Sequence, residues 1–274
     1  MKKVLFTVTI IVLVIAFGVS AFMVGNYLLD GKEQKELNES LSNIVANAQT
    51  AARETTAAQT NAPEETTAPE ETRETVVYKD AEGMLLGYKE IYEMNNDTVG
   101  WIRIPGTVLD YPVMQTPEKT DYYLYRNFNK DDSARGSIYA REVCDINEPS
   151  DNITIYGHNM RDGSMFACLH EYINKETWEE NSLIFFDTLW EYHVYEIFAV
   201  FKTSANIGEG FSYHKFVDAE DEEDFDEFVK TCKDLAFYDT GITPEYGDKL
   251  ITLSTCEYTL GDNGRLVVVA KRIT

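Results

Sequence analysis

Three short stretches of this chain carry residue types that do chemistry. The run Leu250-Ile251-Thr252-Leu253-Ser254-Thr255 ends at Cys256, and Arg265-Leu266-Val267-Val268-Val269 begins after a connection containing Gly261-Asp262-Asn263-Gly264. Apolar and β-branched runs joined by turn residues predict a hairpin. In such a pair the end of one strand lies opposite the start of the next, which makes Cys256 and Arg265 neighbours. A guanidinium beside a thiol favours the reactive thiolate, and its fixed donors suit a developing oxyanion. The third stretch is Tyr156-Gly157-His158-Asn159, at the end of a predicted strand Asn152 to Tyr156. Histidine exchanges protons near neutral pH, and a positive imidazole would favour a Cys256 thiolate further. Nothing in the linear order brings His158 to Cys256.

A single Cys or His is more often packing than catalysis. His170, His193 and His214 fall in stretches that read as helix, strand and loop surface, and they are assigned structural roles. Cys144, Cys168 and Cys232 read as buried apolar thiols. The four cysteines form no C-x-x-C pair, so neither a zinc knuckle nor a thioredoxin-type site is indicated. A formal charge of -23, from 47 acidic and 24 basic residues, repels polyanions and excludes nucleic acid as a partner.

The elements that must position these residues are mostly strands. Val99 to Ile104, Thr107 to Met114, Gly136 to Ala140 and Asn152 to Tyr156 are short, rich in β-branched and aromatic residues, and bounded by Gly, Pro, Asn or Asp. Leu183 to Phe186, Tyr192 to Phe201, Leu250 to Thr255 and Leu266 to Lys271 complete a set of about eight, a number at which a sheet closes around packed side chains. Helical spacing appears in Met84 to Met94, and again where Phe225, Phe228, Val229, Cys232, Leu235 and Ala236 recur after the acidic run Asp218 to Asp224. That run suits a helix N-terminus and lacks the spaced ligands and Gly of a calcium loop.

Ahead of these elements, Val4 to Leu29 carries no charged side chain and is long enough to cross a bilayer. Lys2 and Lys3 precede it, which puts residues 1–3 inside the cell and the rest outside. Val19-Ser20-Ala21 is a passable cleavage site, but the apolar run exceeds a signal core, so a retained anchor over residues 4–29 is favoured. Residues 30–75 read as a stalk. Lys32 to Asn47 can form a short polar helix, and 50–75, with the near-repeat Ala62-Pro63-Glu64-Glu65-Thr66-Thr67, is expected to be disordered. The folded domain is expected over 76–274.

Thr252-Leu253-Ser254-Thr255-Cys256, with Arg265 opening the next strand and Gly157-His158-Asn159 about a hundred residues upstream, resembles the sortases, the cell-wall transpeptidases of Gram-positive bacteria. The resemblance covers Leu85 to Ile273. Gly100-Trp101-Ile102-Arg103-Ile104 and Asp110-Tyr111-Pro112-Val113-Met114-Gln115 look like the early strands of class B members, as do a helix before the barrel and the helical insertion Glu222 to Phe237. The resemblance implies a closed eight-stranded β-barrel in which His158, Cys256 and Arg265 match the catalytic trio. It implies cleavage after Thr in a sorting signal of an exported protein, a thioester on Cys256, and transfer to an amine of peptidoglycan precursor or a pilin. His158 would protonate the departing amine, and Arg265 with the backbone N–H of Glu257 would hold the oxyanion. Thr255, Ser254 and Asn159 are further substrate-side expectations. No cofactor or metal is required. The rival readings are a wall peptidase of papain type and a silent, anchored binding module. The first usually places Cys before His and near a helix N-terminus, the reverse of this order.

Overall fold

Apolar side chains recur at every second position along the strand segments, so each strand can bury one face while the other stays free for different cover. The computed structural model describes residues 2–59, 79–206, 208–261 and 263–274. Eight strands form: β1 (Thr98–Arg103), β2 (Asp110–Met114), β3 (Ile138–Ala140), β4 (Asn152–Tyr156), β5 (Leu183–Thr188), β6 (Val194–Ser204), β7 (Leu250–Cys256) and β8 (Gly264–Arg272). They close into a barrel in the order β1-β2-β3-β4-β7-β8-β6-β5. The β2–β3 and β4–β7 pairs are parallel, and the others are antiparallel. Strand β2 starts three residues later than the apolar run suggested, because the Thr107 hydroxyl bonds Ile104 O and Leu109 N and holds a turn there.

One parity of each strand fills the barrel. Ile153 and Ile155 of β4, Ile251 and Leu253 of β7, and Leu266, Val268 and Ala270 of β8 share a buried cluster with Ile102, Val113, Ile184 and Phe186. The opposite parity of β6, β7 and β8 packs under α4 (Glu222–Leu235), through Phe225, Phe228, Val229 and Cys232 against Leu250, Val267 and Val269. The acidic run caps α4 as expected: Asp221 accepts from Asp224 N, and Glu222, Glu223 and Asp224 fill the first turn.

The helices ahead of the barrel differ from the expectation. Helix α1 runs unbroken over Lys2–Gln59, 58 residues, and is the one helix among the described residues long and apolar enough to cross a membrane. Residues 50–59, expected to be disordered, continue it, while 60–75 lie outside the described residues, as does the expected domain boundary at 76. The polar part of α1 is not a free stalk. Leu41 and Val45 are buried with α2 (Tyr88–Met94) and with Trp101 and Met114 of the barrel. Asn38 donates to Asp110 O and Ser42 to Asp110 Oδ2, whose other oxygen accepts from Trp101 Nε1 at 2.6 Å. Apolar positions on one face of Leu37–Val45 make this docking favourable. Residues 84–87, expected within the second helix, lie ahead of it: Leu85 bridges to Lys79, and Leu86 and Gly87 turn the chain into α2. Gly87 has φ +99°, and a Cβ there would press on the Val45 carbonyl 3.0 Å away, so the crossing of α1 and α2 requires glycine. A short helix α3 (Lys175–Glu180) precedes β5.

Candidate active site

Strand pairing brings the three chemical residues together. β4 and β7 run parallel, with Thr154 beside Thr252, Ile155 beside Leu253 and Tyr156 beside Ser254. Gly157 N then donates to Ser254 O at 3.2 Å. His158 and Cys256 each stand two residues past the last pair, so they leave the sheet at the same edge. On the other side of β7, the antiparallel register puts Arg265 of β8 opposite Cys256, the hairpin neighbour the sequence implied. Leu253 and Leu266 point into the barrel, so alternation turns Ser254, Cys256 and Arg265 to its outer face. A cavity of about 320 Å³ opens there, and His158, Cys256 and Arg265 all line it.

Cys256 is the one partly exposed thiol of the four. Burial pushes the Cys168 thiol up to about 11 and raises Cys144 and Cys232, as the packing reading of those three requires. The Arg265 guanidinium donates to Gly264 O at 2.8 Å and, among the described residues, has no carboxylate partner. His158 Nε2 lies 2.7 Å from Leu124 O. A carbonyl only accepts, so Nε2 carries the hydrogen and Nδ1 is the nitrogen left to exchange a proton. The ring also packs at 5.6 Å from that of Tyr125.

The remaining expected residues divide. Ser254 faces the cavity, its Oγ 2.6 Å from the Tyr213 hydroxyl. Thr255 also lines the cavity although its parity is opposite, and its buried Oγ1 has no hydrogen-bond partner. Glu257 does not fit its expected part: its N–H donates to Gly264 O at 2.9 Å, closing the hairpin, and is therefore not free for an oxyanion. Its carboxylate instead pins the turn, accepting from Thr259 N and Oγ1 and lying 3.2 Å from Lys202 Nζ. Burial opposes that charge, but the Thr259 hydrogen bonds and Lys202 outweigh it and hold the carboxyl below its ordinary range. Asn159 turns toward the protein: Nδ2 donates to Cys256 O at 3.1 Å and lies 2.9 Å from His170 Nε2.

Sequence reasoning missed His170, whose Nε2 is 3.2 Å from the same Cys256 carbonyl. It also missed Tyr213, His214 and Asp121, all of which line the cavity. Burial first, then Arg141, Lys215 and Arg265, lower the His214 pKa from 6.5, which favours the neutral ring. Only residue type marked these positions beforehand. The fold-back that brings His170 to Cys256, with Phe166 N donating to His158 O at 2.9 Å, has no linear signature.

The closed eight-stranded barrel matches solved sortase B structures, and the Sortase domain model matches residues 102–273. The chain belongs to the sortase family of cysteine transpeptidases. Its relatives set it in class B. It is 34% identical over 189 residues to Sortase B of Listeria monocytogenes, covering 68% of this chain and 74% of that one. It is 28% identical to Sortase B of Staphylococcus aureus, over 73% of this chain and 80% of the relative. The crystal structure of Bacillus anthracis sortase B in complex with AAEK1 superposes with a TM-score of 0.68 at 28% identity, over 90% of this chain and 99% of that one. A Staphylococcus aureus sortase B–substrate complex gives 0.63 at 29% identity, over 69% and 85%.

Proposed function

We propose that Cys256, His158 and Arg265 carry out transpeptidation on the sorting signal of an exported protein. The Cys256 thiolate attacks the carbonyl that follows Thr, forming a C–S bond and a tetrahedral oxyanion. Arg265, opposite Cys256 and without a carboxylate partner, supplies donors to that oxygen in place of the committed Glu257 N–H. Collapse breaks the C–N bond, and His158, whose Nδ1 has taken the proton of the Cys256 thiol, passes that proton to the departing amine. An amine of peptidoglycan precursor or a pilin then attacks the thioester, gives its proton to His158 Nδ1, and releases the thiolate. The energy of the cleaved peptide bond is conserved in the thioester, so the reaction needs no ATP, metal or organic cofactor. The apolar part of α1 anchors the chain in the cell membrane, N-terminus inside and barrel outside, by the bias of Lys2 and Lys3.

One observation carries this reading: parallel β4 and β7 end side by side, so His158 and Cys256 share a cavity with the residue paired across the hairpin. The test uses the full chain in detergent micelles, incubated with a library of sorting peptides and candidate amines. Intact-mass spectrometry is expected to show an acyl adduct on Cys256 that disappears on adding the right amine, with a ligated product. Product formed by Cys256→Ala protein would overturn the assignment.

A further inference from the structure

The residues that end the apolar span are the ones that grip the barrel. Arg135, in the segment leading into β3, reaches α1 just where its uncharged stretch stops. Its guanidinium lies 5.0 Å from the Tyr27 ring, its Nε is 3.6 Å from Asp30 Oδ2, and its side chain is 4% exposed. It rests against α1 at Gly31, where an added Cβ would overlap it. Glycine is a poor helix former, and here the missing side chain is the seat of the guanidinium. Two turns further on, Asn38, Leu41, Ser42 and Val45 hold α1 to the barrel. With contacts at both ends of this segment, α1 leaves the barrel in one fixed direction.

At about 1.5 Å per residue the uncharged stretch Val4–Leu29 is roughly 39 Å long, against a hydrocarbon thickness of about 30 Å. Its outer end, at Tyr27, therefore stands in the headgroup layer, and Arg135 touches it there. We propose that the barrel sits directly on the bilayer, with the wall formed by the Val108 turn, Arg135 and the Asp162–Ser164 loop against the lipid headgroups. This rests on the reading of α1 as a membrane anchor. Val108 is 54% exposed, on the rim of a cavity of about 370 Å³ between α1 and this wall. Arg135 faces two carboxylates, Asp30 and Asp162, so it has no positive charge left over for an anionic lipid and a zwitterionic surface suffices.

The same clamp holds the loop that follows His158. Arg135 Nη1 donates to Asp162 Oδ2 at 2.6 Å and to Ser164 Oγ at 2.9 Å. Asp162 follows His158 by four residues, so the two lie within about 14 Å of each other. The site is thus held at a set height, where it meets peptide segments and amine acceptors that emerge from the same bilayer.

The test uses the full chain in phosphatidylcholine vesicles, in a Cys256→Ala background so that an introduced thiol is the accessible one. A fluorophore on Val108→Cys is expected to be quenched by lipid carrying a nitroxide on its headgroup. The same fluorophore on Tyr246→Cys, which lies beside α4 on another wall, is expected to stay bright. Gly31→Leu fills the guanidinium seat while favouring helix, and should abolish quenching at Val108 with vesicle flotation unchanged; Arg135→Gln should do the same. A chain that does not float with vesicles overturns the anchor reading and this proposal together. A chain that floats with a bright Val108 probe, or with quenching retained in both clamp variants, overturns this proposal alone.

Discussion

The outer face of β7 has two environments along one strand. At its start Leu250 is sealed under α4 by Phe225, Phe228, Val229 and Cys232; at its end Ser254 and Cys256 face a polar cavity beside Arg265. Alternation is the same throughout, and only the cover changes. Cys232 and Cys256 show the consequence in one residue type, since Cys232 is fully buried with its thiol pKa raised, whereas Cys256 is partly exposed. Where cover persists, area removed from water gives stability. Where it stops, a thiol and a guanidinium become accessible, and exposure and neighbours, more than residue type, govern how reactive a thiol is.

Substitutions on the two halves should separate stability from chemistry. The largest effect is expected from Cys256→Ala: complete loss of ligated product by mass spectrometry, with the thermal midpoint unchanged because the side chain packs little. On the covered half, Phe225→Ala should lower unfolding free energy by about 3–5 kcal/mol in denaturant titration, while folded molecules still form the thioester. Arg265→Lys should slow acyl-enzyme formation roughly 10²-fold in single-turnover kinetics, because a point charge does not reproduce the fork. Near-normal rates would break the contrast by showing that the open half needs only charge. Asn159→Ala removes a donor from the Cys256 carbonyl, and should lower kcat roughly tenfold with little change in KM, a loss of transition-state positioning.

The smallest effect is a pH dependence. Burial, then Arg141, Lys215 and Arg265, lower the folded-state pKa of His214 from 6.5. Between that lowered value and 6.5 the unfolded chain binds a proton that the folded chain does not, so stability falls as pH drops through this window. His214→Gln should flatten that limb in denaturant titrations run across it.

Much of this division was legible beforehand, for identifiable reasons. The α4 segment showed its buried face in the spacing of Phe225, Phe228, Val229 and Cys232, and its start in the acidic run, because helix periodicity and capping are local. The Cys256–Arg265 pair was legible because a hairpin converts sequence proximity into spatial proximity. The role of Glu257 was misread because an N–H near a nucleophile is free only if the hairpin register leaves it so. The docked part of α1 was read as stalk because Leu37, Leu41 and Val45 are sparse among polar residues, and their partners on α2 and the barrel lie more than forty residues away.

By itself the sequence determined the strands, the two-faced helix, the apolar span and the hairpin that pairs Cys256 with Arg265, since each depends on neighbours within a few positions. Only the tertiary structure decided that β4 and β7 lie parallel, that His158 therefore shares a cavity with Cys256, that His170 reaches the Cys256 carbonyl, and that Arg135 meets Gly31. Parallel pairing and cross-barrel contacts join residues separated by tens of positions. Which of the possible pairings forms is set by how the whole core packs, not by any local run of residues.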